Sequence, residues 1–162
     1  AMAAALQQVS PDDAAYFDVQ AARLETEDLR TYDETVARIR AAHAGTPIAV
    51  TESVFEGMAA ALGLRVLTPP SFAEALAEGG EPTARDKEEV DRQIAERQVK
   101  VLVYNAQNAT PDVRTLVDAA TARAIPVTTV TESLSPPGAA FQDWQVRQLL
   151  ELEAALSAAP RQ

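Results

Sequence analysis

From Thr46 onward the sequence alternates short apolar runs with longer amphipathic stretches, and this alternation constrains the fold more than any other feature. The runs Pro47-Ile48-Ala49-Val50, Leu64-Arg65-Val66-Leu67, Lys100-Val101-Leu102-Val103-Tyr104 and Pro126-Val127-Thr128-Thr129-Val130 have the length of strands. Helical patterns fill the gaps over Ser53 to Leu62, Ser71 to Ala77, Thr83 to Gln98 and Thr110 to Ala124, and Phe141 to Ala158 follows the last run. A strand that reaches the next one through a helix does so by a right-handed crossover, which lays the two strands parallel. A parallel sheet in turn needs helices on both faces. The expected fold class is α/β: one doubly wound lobe over residues 46–162, built on a four-stranded, mostly parallel sheet.

Residues 1–45 read as a separate helical segment. Met2 to Val9 is a short Ala-rich helix that stops at Ser10-Pro11. Ser10 is placed to cap the next helix, Pro11 suits its first position, and Asp12 and Asp13 lie at its positive end. The helical pattern then runs unbroken from Asp12 to Ala44 and closes at Gly45. Leu29, Tyr32, Val36 and Ile39 form one apolar stripe, which Phe17, Ala21 and Leu24 continue in a rotated phase. A helix of about thirty residues is far longer than the ~10–14 usual in globular domains, so it must lie across the lobe or act as a spine.

Charge narrows the function classes. With 14 Lys+Arg against 24 Asp+Glu the net charge is −10, which disfavours nucleic acid and anionic lipid as partners. There is no Cys, hence no disulfide, thiolate metal site or Cys nucleophile. No apolar run approaches the ~18 residues of a membrane span. There is no G-x-G-x-x-G and no G-x-S-x-G. The single His, His43, falls in the last turn before Gly45, where an imidazole complements a helix C-terminus. Phe141 and Trp144 share helical spacing with Leu149 and read as core. The run Arg85-Asp86-Lys87-Glu88-Glu89 reads as a solvated helix face with mixed-sign pairs.

In an open parallel sheet, ligands bind beyond the carboxyl ends of the strands. The first and fourth ends carry the same triplet, Thr51-Glu52-Ser53 and Thr131-Glu132-Ser133, so each places a carboxylate just past a strand. Glu52 also has a purely structural reading: it precedes a helix start, where Ser53 and Glu56 have the spacing of a capping box. Glu132 has no helix directly after it. Two such carboxylates could hold a hard divalent cation, act as acid and base, or sit apart on the surface.

Five segments in order resemble the C-terminal half of the zinc/manganese substrate-binding proteins of ABC transporters: Asp12 to Leu24, Val50 to Leu64, Glu81-Pro82-Thr83-Ala84-Arg85-Asp86, Lys100 to Gln107, and Val130-Thr131-Glu132 with the Pro136-Pro137-Gly138 loop and Phe141-Gln142-Asp143-Trp144. The resemblance implies one metal ion, Zn or Mn, held between two α/β lobes joined by a long helix. The C-terminal lobe of that family supplies a His or Glu after its first strand and an Asp or Glu after its last, positions that match Glu52 and Glu132. It implies Thr51, Thr131 and nearby backbone as hydrogen-bonding support for those ligands. The family's N-terminal lobe, with its first ligand His and its Asp-Pro-His-x-Trp segment, has no counterpart in these residues. The third strand end is a departure, reading Tyr104-Asn105-Ala106-Gln107 where many relatives have Glu-Pro-Gln.

The resemblance therefore implies a binding protein, not an enzyme, that hands Zn or Mn to a membrane permease of an ABC importer. Its location would be extracytoplasmic, periplasmic or lipid-anchored at the cell surface. Two other readings stand beside it. One is a surface adhesion module, as some relatives are described. The other is a small α/β hydrolase using the two carboxylates as acid and base.

Overall fold

The computed structural model describes residues 2–159, which leaves residues 1 and 160–162 of the two expected segments outside it. Four parallel strands lie in the order β2-β1-β3-β4: β1 (Pro47–Val50), β2 (Arg65–Val66), β3 (Val101–Asn105) and β4 (Val127–Val130). The alternation of side chains along β1 and β3 divides the core. Ile48, Val50, Val101 and Val103 point to one face, and Ala49 and Leu102 to the other. The first face is covered by α3 (Arg30–His43), α4 (Glu56–Ala61) and α8 (Phe141–Ala158), which contribute Ile39, Ala59, Leu149, Leu152 and Leu156. The second is covered by α5 (Pro70–Ala77), α6 (Ala84–Ala95) and α7 (Pro111–Ala122), with Phe72, Leu76, Val90, Ile94, Val113 and Leu116. This is the doubly wound lobe expected from the alternation.

The edge strand is shorter than its apolar run. Leu64 and Leu67 flank β2 without belonging to it, although Leu67 still donates its N–H to the Ile48 carbonyl at 2.9 Å. Beyond that point Thr68 replaces the strand. Its buried hydroxyl accepts from Val50 N–H at 2.9 Å and donates to Val50 C=O at 3.0 Å. One side chain thus satisfies both backbone groups of the last residue of β1.

The N-terminal segment departs from a single unbroken helix. The short helix α1 (Met2–Val9) and α2 (Ala14–Arg23) are followed by a π-helical turn over Leu24–Asp28, before α3 begins at Arg30. Leu29 N–H reaches back five residues to Leu24 C=O at 2.9 Å, so one extra residue is accommodated in the turn. Thr26 takes part by bonding its hydroxyl to Ala22 C=O at 2.8 Å. That insertion explains the rotated phase of Phe17, Ala21 and Leu24 relative to Tyr32, Val36 and Ile39. Ser10 does not cap; its hydroxyl bonds Asp13 at 2.7 Å, and a 3-10 turn over Pro11–Asp13 leads into α2. Gln7 ties α1 to α2 through Ala14 C=O and the Asp18 carboxylate. None of the residues of α1 or α2 is buried, whereas α3 buries Thr35 and Ile39.

Helix α3 is fastened across α8 by a two-bonded ion pair. Arg38 Nε and a terminal guanidinium nitrogen each donate to Glu153 at 2.8 Å. The hydrogen bonds from Arg38 hold the Glu153 carboxyl below the usual carboxylate range. A depressed folded-state pKa contributes stability above the unfolded-state value and loses it as pH falls through the folded-state value. Glu153→Gln is therefore expected to be less stable than the parent at neutral pH. The gap should close on acidification, as followed by denaturant melts across the acid range. In the interior, Thr68→Val leaves Val50 N–H and C=O without partners. A loss of about 1–3 kcal/mol is expected by chemical denaturation.

Candidate functional site

The two crossovers that leave β1 and enter β3 lie on opposite faces: α4 packs against the face of Val50, and α5 and α6 against that of Ala49. A crevice therefore opens at the carboxyl ends of β1 and β3, the switch point of the strand order. Register decides what lines it. Val50 pairs with Val103, and Thr51 N–H still bonds Val103 C=O at 3.1 Å, so Glu52 comes level with Asn105. Asn105 in turn pairs with Val130, which sets Glu132 on the far side of it.

The three side chains meet. Asn105 Nδ2 donates to Glu52 Oε2 at 2.8 Å and to Glu132 Oε1 at 2.6 Å. Both carboxylates thus lie within hydrogen-bond distance of one nitrogen. Asn105 Oδ1 accepts Gln107 N–H at 2.9 Å, and its own backbone N–H reaches Thr51 Oγ1 at 3.3 Å. Asn108 Nδ2 holds the other oxygen of Glu52 and also bonds Leu76 C=O. Gln107 Oε1 accepts the N–H groups of Glu132 at 2.8 Å and Ser133 at 3.1 Å, and its amide nitrogen bonds Ser133 Oγ. Three amide side chains from the end of β3 and the loop after it therefore hold both carboxylate arms.

Burial is unequal. Glu52 is 3% exposed and Asn105 1%, while Glu132 is exposed. Among the described residues no Lys, Arg or His is ion-paired with either carboxylate, since the pairs involve Arg23, Arg38, Lys87 and Arg92. Burying a carboxylate without a cation is costly, and amide donors offset only part of that cost. Beside Glu132 a cavity of about 330 Å³ opens between Phe55, Met58, Thr131, Trp144 and Gln148. Trp144 forms its wall, donating Nε1–H to Thr131 Oγ1 at 2.9 Å, and Gln148 Oε1 accepts Thr131 N–H at 2.6 Å.

The structure brings together Glu52 and Glu132, and it redistributes their support. Thr51 and Thr131 bond Asn105 N–H, Trp144 and the Ser133 carbonyl, and neither touches a carboxylate. That role passes to Asn105 and Asn108, whose signal was the amide-rich sequence after the third strand. No capping box forms at Ser53, because a 3-10 turn over Ser53–Phe55 precedes α4 and Glu52 makes no side-chain cap. Trp144 is buried as expected, but Phe141 is 54% exposed and meets Trp144 edge-on. His43 is the last residue of α3 and lies before the amino end of β1, the opposite end of that strand from Glu52. The charged face of α6 is laced by Arg92–Glu89 and by Lys87–Asp112 bonds, as read. Among the described residues no group of three or more His, Cys, Asp or Glu side chains assembles. The donor chemistry of the pair, hard anionic oxygens without a protein cation, fits a divalent ion as an incomplete ligand set.

A doubly wound lobe with polar residues at its switch point presents a ligand-sized crevice at the carboxyl ends of its strands. The chain belongs to the ZnuA family, described as the zinc-uptake complex component A, periplasmic, whose model matches residues 1–155. Its fold is similar to that of the laminin-binding protein Lmb of Streptococcus agalactiae, described as a bifunctional protein with adhesin and metal-transporting activity. Identity is 18% and the TM-score 0.70, over 95% of this chain and 58% of that one. It is also similar to a Zn(II)-bound variant of AdcAII from Streptococcus pneumoniae, at 14% identity and TM-score 0.74, over 96% and 54%. A periplasmic metal-binding protein of Candidatus Liberibacter asiaticus matches at 15% identity and TM-score 0.69, over 95% and 57%. The chain thus spans a little over half the length of these structures. No curated protein sequence matches it.

The loop that carries Glu132 depends on Gln107. Gln107→Ala is expected to speed hydrogen exchange at the amides of Glu132 and Ser133, whereas the amide of Asn105, bonded to Thr51, keeps its protection.

Proposed function

We propose that this chain is the C-terminal lobe of an extracytoplasmic solute-binding protein that captures a divalent metal, Zn or Mn, for an ABC importer. In this reading Glu52 and Glu132 are the lobe's ligands, and its partners are the metal, a second lobe and a membrane permease. The protein binds and releases its cargo and catalyses no reaction. The observation that carries the reading is the buried Glu52 carboxylate, which shares the Asn105 amide with a second carboxylate while, among the described residues, no cationic side chain is ion-paired with either. A divalent ion would supply the missing positive charge at the point where the strand order opens the sheet. Family membership supports the same cargo, and among the described residues no helix is long and apolar enough to cross a membrane.

Two carboxylates on one lobe leave most coordination positions to water. A second lobe would exclude that water and strengthen each ion–oxygen term by lowering the effective dielectric. Weak binding is therefore expected for these 162 residues alone. Calorimetry with Zn²⁺ and with Mn²⁺ tests the reading. One-to-one binding is expected, weakened at least about tenfold by Glu52→Gln or by Glu132→Gln, since loss of even an outer hydrogen-bond partner costs 10–100-fold. Absence of heat with either metal, or affinity indifferent to both substitutions, overturns it.

A further inference from the structure

We infer that Asn105 is an uncharged clasp that joins the two carboxylates into one cation site. The inference rests on the reading of Glu52 and Glu132 as ligands and names the residue on which their pairing depends. Each arm has an anchor of its own. Asn108 bonds the Glu52 carboxylate, and Gln107 holds the Glu132 loop through the N–H groups of Glu132 and Ser133. Among the described residues neither anchor bonds the other carboxylate. Only the Asn105 side chain bonds both, at 2.8 Å to Glu52 and 2.6 Å to Glu132.

Two neighbouring carboxylates repel each other. Glu52 is buried and keeps its bond to Asn108, whereas Glu132 is exposed, so without Asn105 the Glu132 side chain would turn into solvent. Gln107 would not prevent this, because it bonds the backbone of the loop and the Ser133 hydroxyl rather than the carboxylate. The Asn105 NH₂ has one proton for each carboxylate. Its orientation is fixed by Gln107 N–H, which donates to Oδ1 at 2.9 Å; turning the amide over would set that oxygen against two anions. A lysine or arginine in its place would bridge the pair as well, but its charge would offset theirs and repel an arriving cation. The amide sets the same geometry and leaves the negative charge to the cargo. The ligands are thus paired before the ion arrives, and less side-chain freedom is lost on binding.

Zn²⁺ affinity of the 162-residue chain would be read from NMR titration of backbone amides, which follows weak binding, together with amide hydrogen exchange in the absence of metal. Asn105→Ala is expected to weaken Zn²⁺ binding about tenfold, the lower end for loss of an outer hydrogen-bond partner. The amides of Glu132 and Ser133, held by Gln107, should keep their exchange protection. The decisive comparison is made in a Glu132→Ala background, where no second carboxylate remains to be held. There Asn105→Ala should cost about twofold or less, within the scatter of uncoupled changes. Asn108→Ala, which bears on Glu52 alone of the two, should cost the same factor in both backgrounds. Asn105→Ser, with one hydroxyl proton for two carboxylates, is expected to follow the alanine variant and serves where that variant does not fold. Equal losses from the Asn105 variants with and without Glu132, no loss in either, or lost protection at Glu132 and Ser133 overturns the clasp; the ligand reading still stands if Glu52→Gln and Glu132→Gln lose metal. If those two variants bind Zn²⁺ as the parent does, the ligand reading falls and the clasp with it.

Discussion

The parallel pairing of β1 with β3 is the constraint from which the rest of the lobe follows. These two strands are adjacent in space but separated in sequence by α4, β2, α5 and α6. The chain therefore leaves β1 toward one edge and must return across it to start β3. The helices that accomplish these two moves cover opposite faces, which leaves a crevice at the strand ends between them. Both apolar clusters draw on the same two strands, Ile48, Val50, Val101 and Val103 for one and Ala49 and Leu102 for the other. A one-residue slip of this pairing would exchange the faces and undo both. It would also part Glu52 from Asn105, so stability and site geometry rest on one register.

Much of this architecture was legible because periodicity and strand ends carry it. Four apolar runs of strand length, each followed by a helical pattern, leave few topologies other than a parallel sheet with helices on both sides. The repeated Thr-Glu-Ser triplet marks two strand ends, and the sheet brings those ends to either side of a third. Register between sequence-distant strands was not legible. Nothing in the local sequence says that Glu52 comes level with Asn105 rather than one residue off, and this offset decides which side chains touch.

The misread details share a physical origin: competition between short polar side chains and the backbone. Ser10 and Ser53 both have the spacing of helix caps. Ser10 bonds Asp13, and a 3-10 turn at Ser53 moves the helix start downstream. Thr51 and Thr131 flank the glutamates in sequence, yet alternate side chains of an extended chain point to opposite sides, so neighbours in sequence part in space. Thr51 is turned toward Asn105 N–H and Thr131 toward Trp144. The amides that do reach the carboxylates come from another strand and its loop. Phe141 was misjudged for a simpler reason: the buried residues of α8 begin at Trp144, and Phe141 at its first position stays 54% exposed.

The π-helical turn at Leu24–Asp28 gives the N-terminal arm an angular setting of its own. Each residue of an α-helix advances the chain by about 100° around the axis. A single residue absorbed in the wider turn therefore decides which way α2, and α1 strapped to it by Gln7, faces relative to the lobe. Removing one residue there would let the helix close into regular α geometry. The arm would then swing around by more than a quarter of a circle while its own contacts stayed intact. Tyr16, Val19 and Leu24, which lie on the outside of the arm, would be carried to a different side of the molecule. The segment acts as a rotational index between arm and lobe, written in one residue of chain length rather than in any side chain.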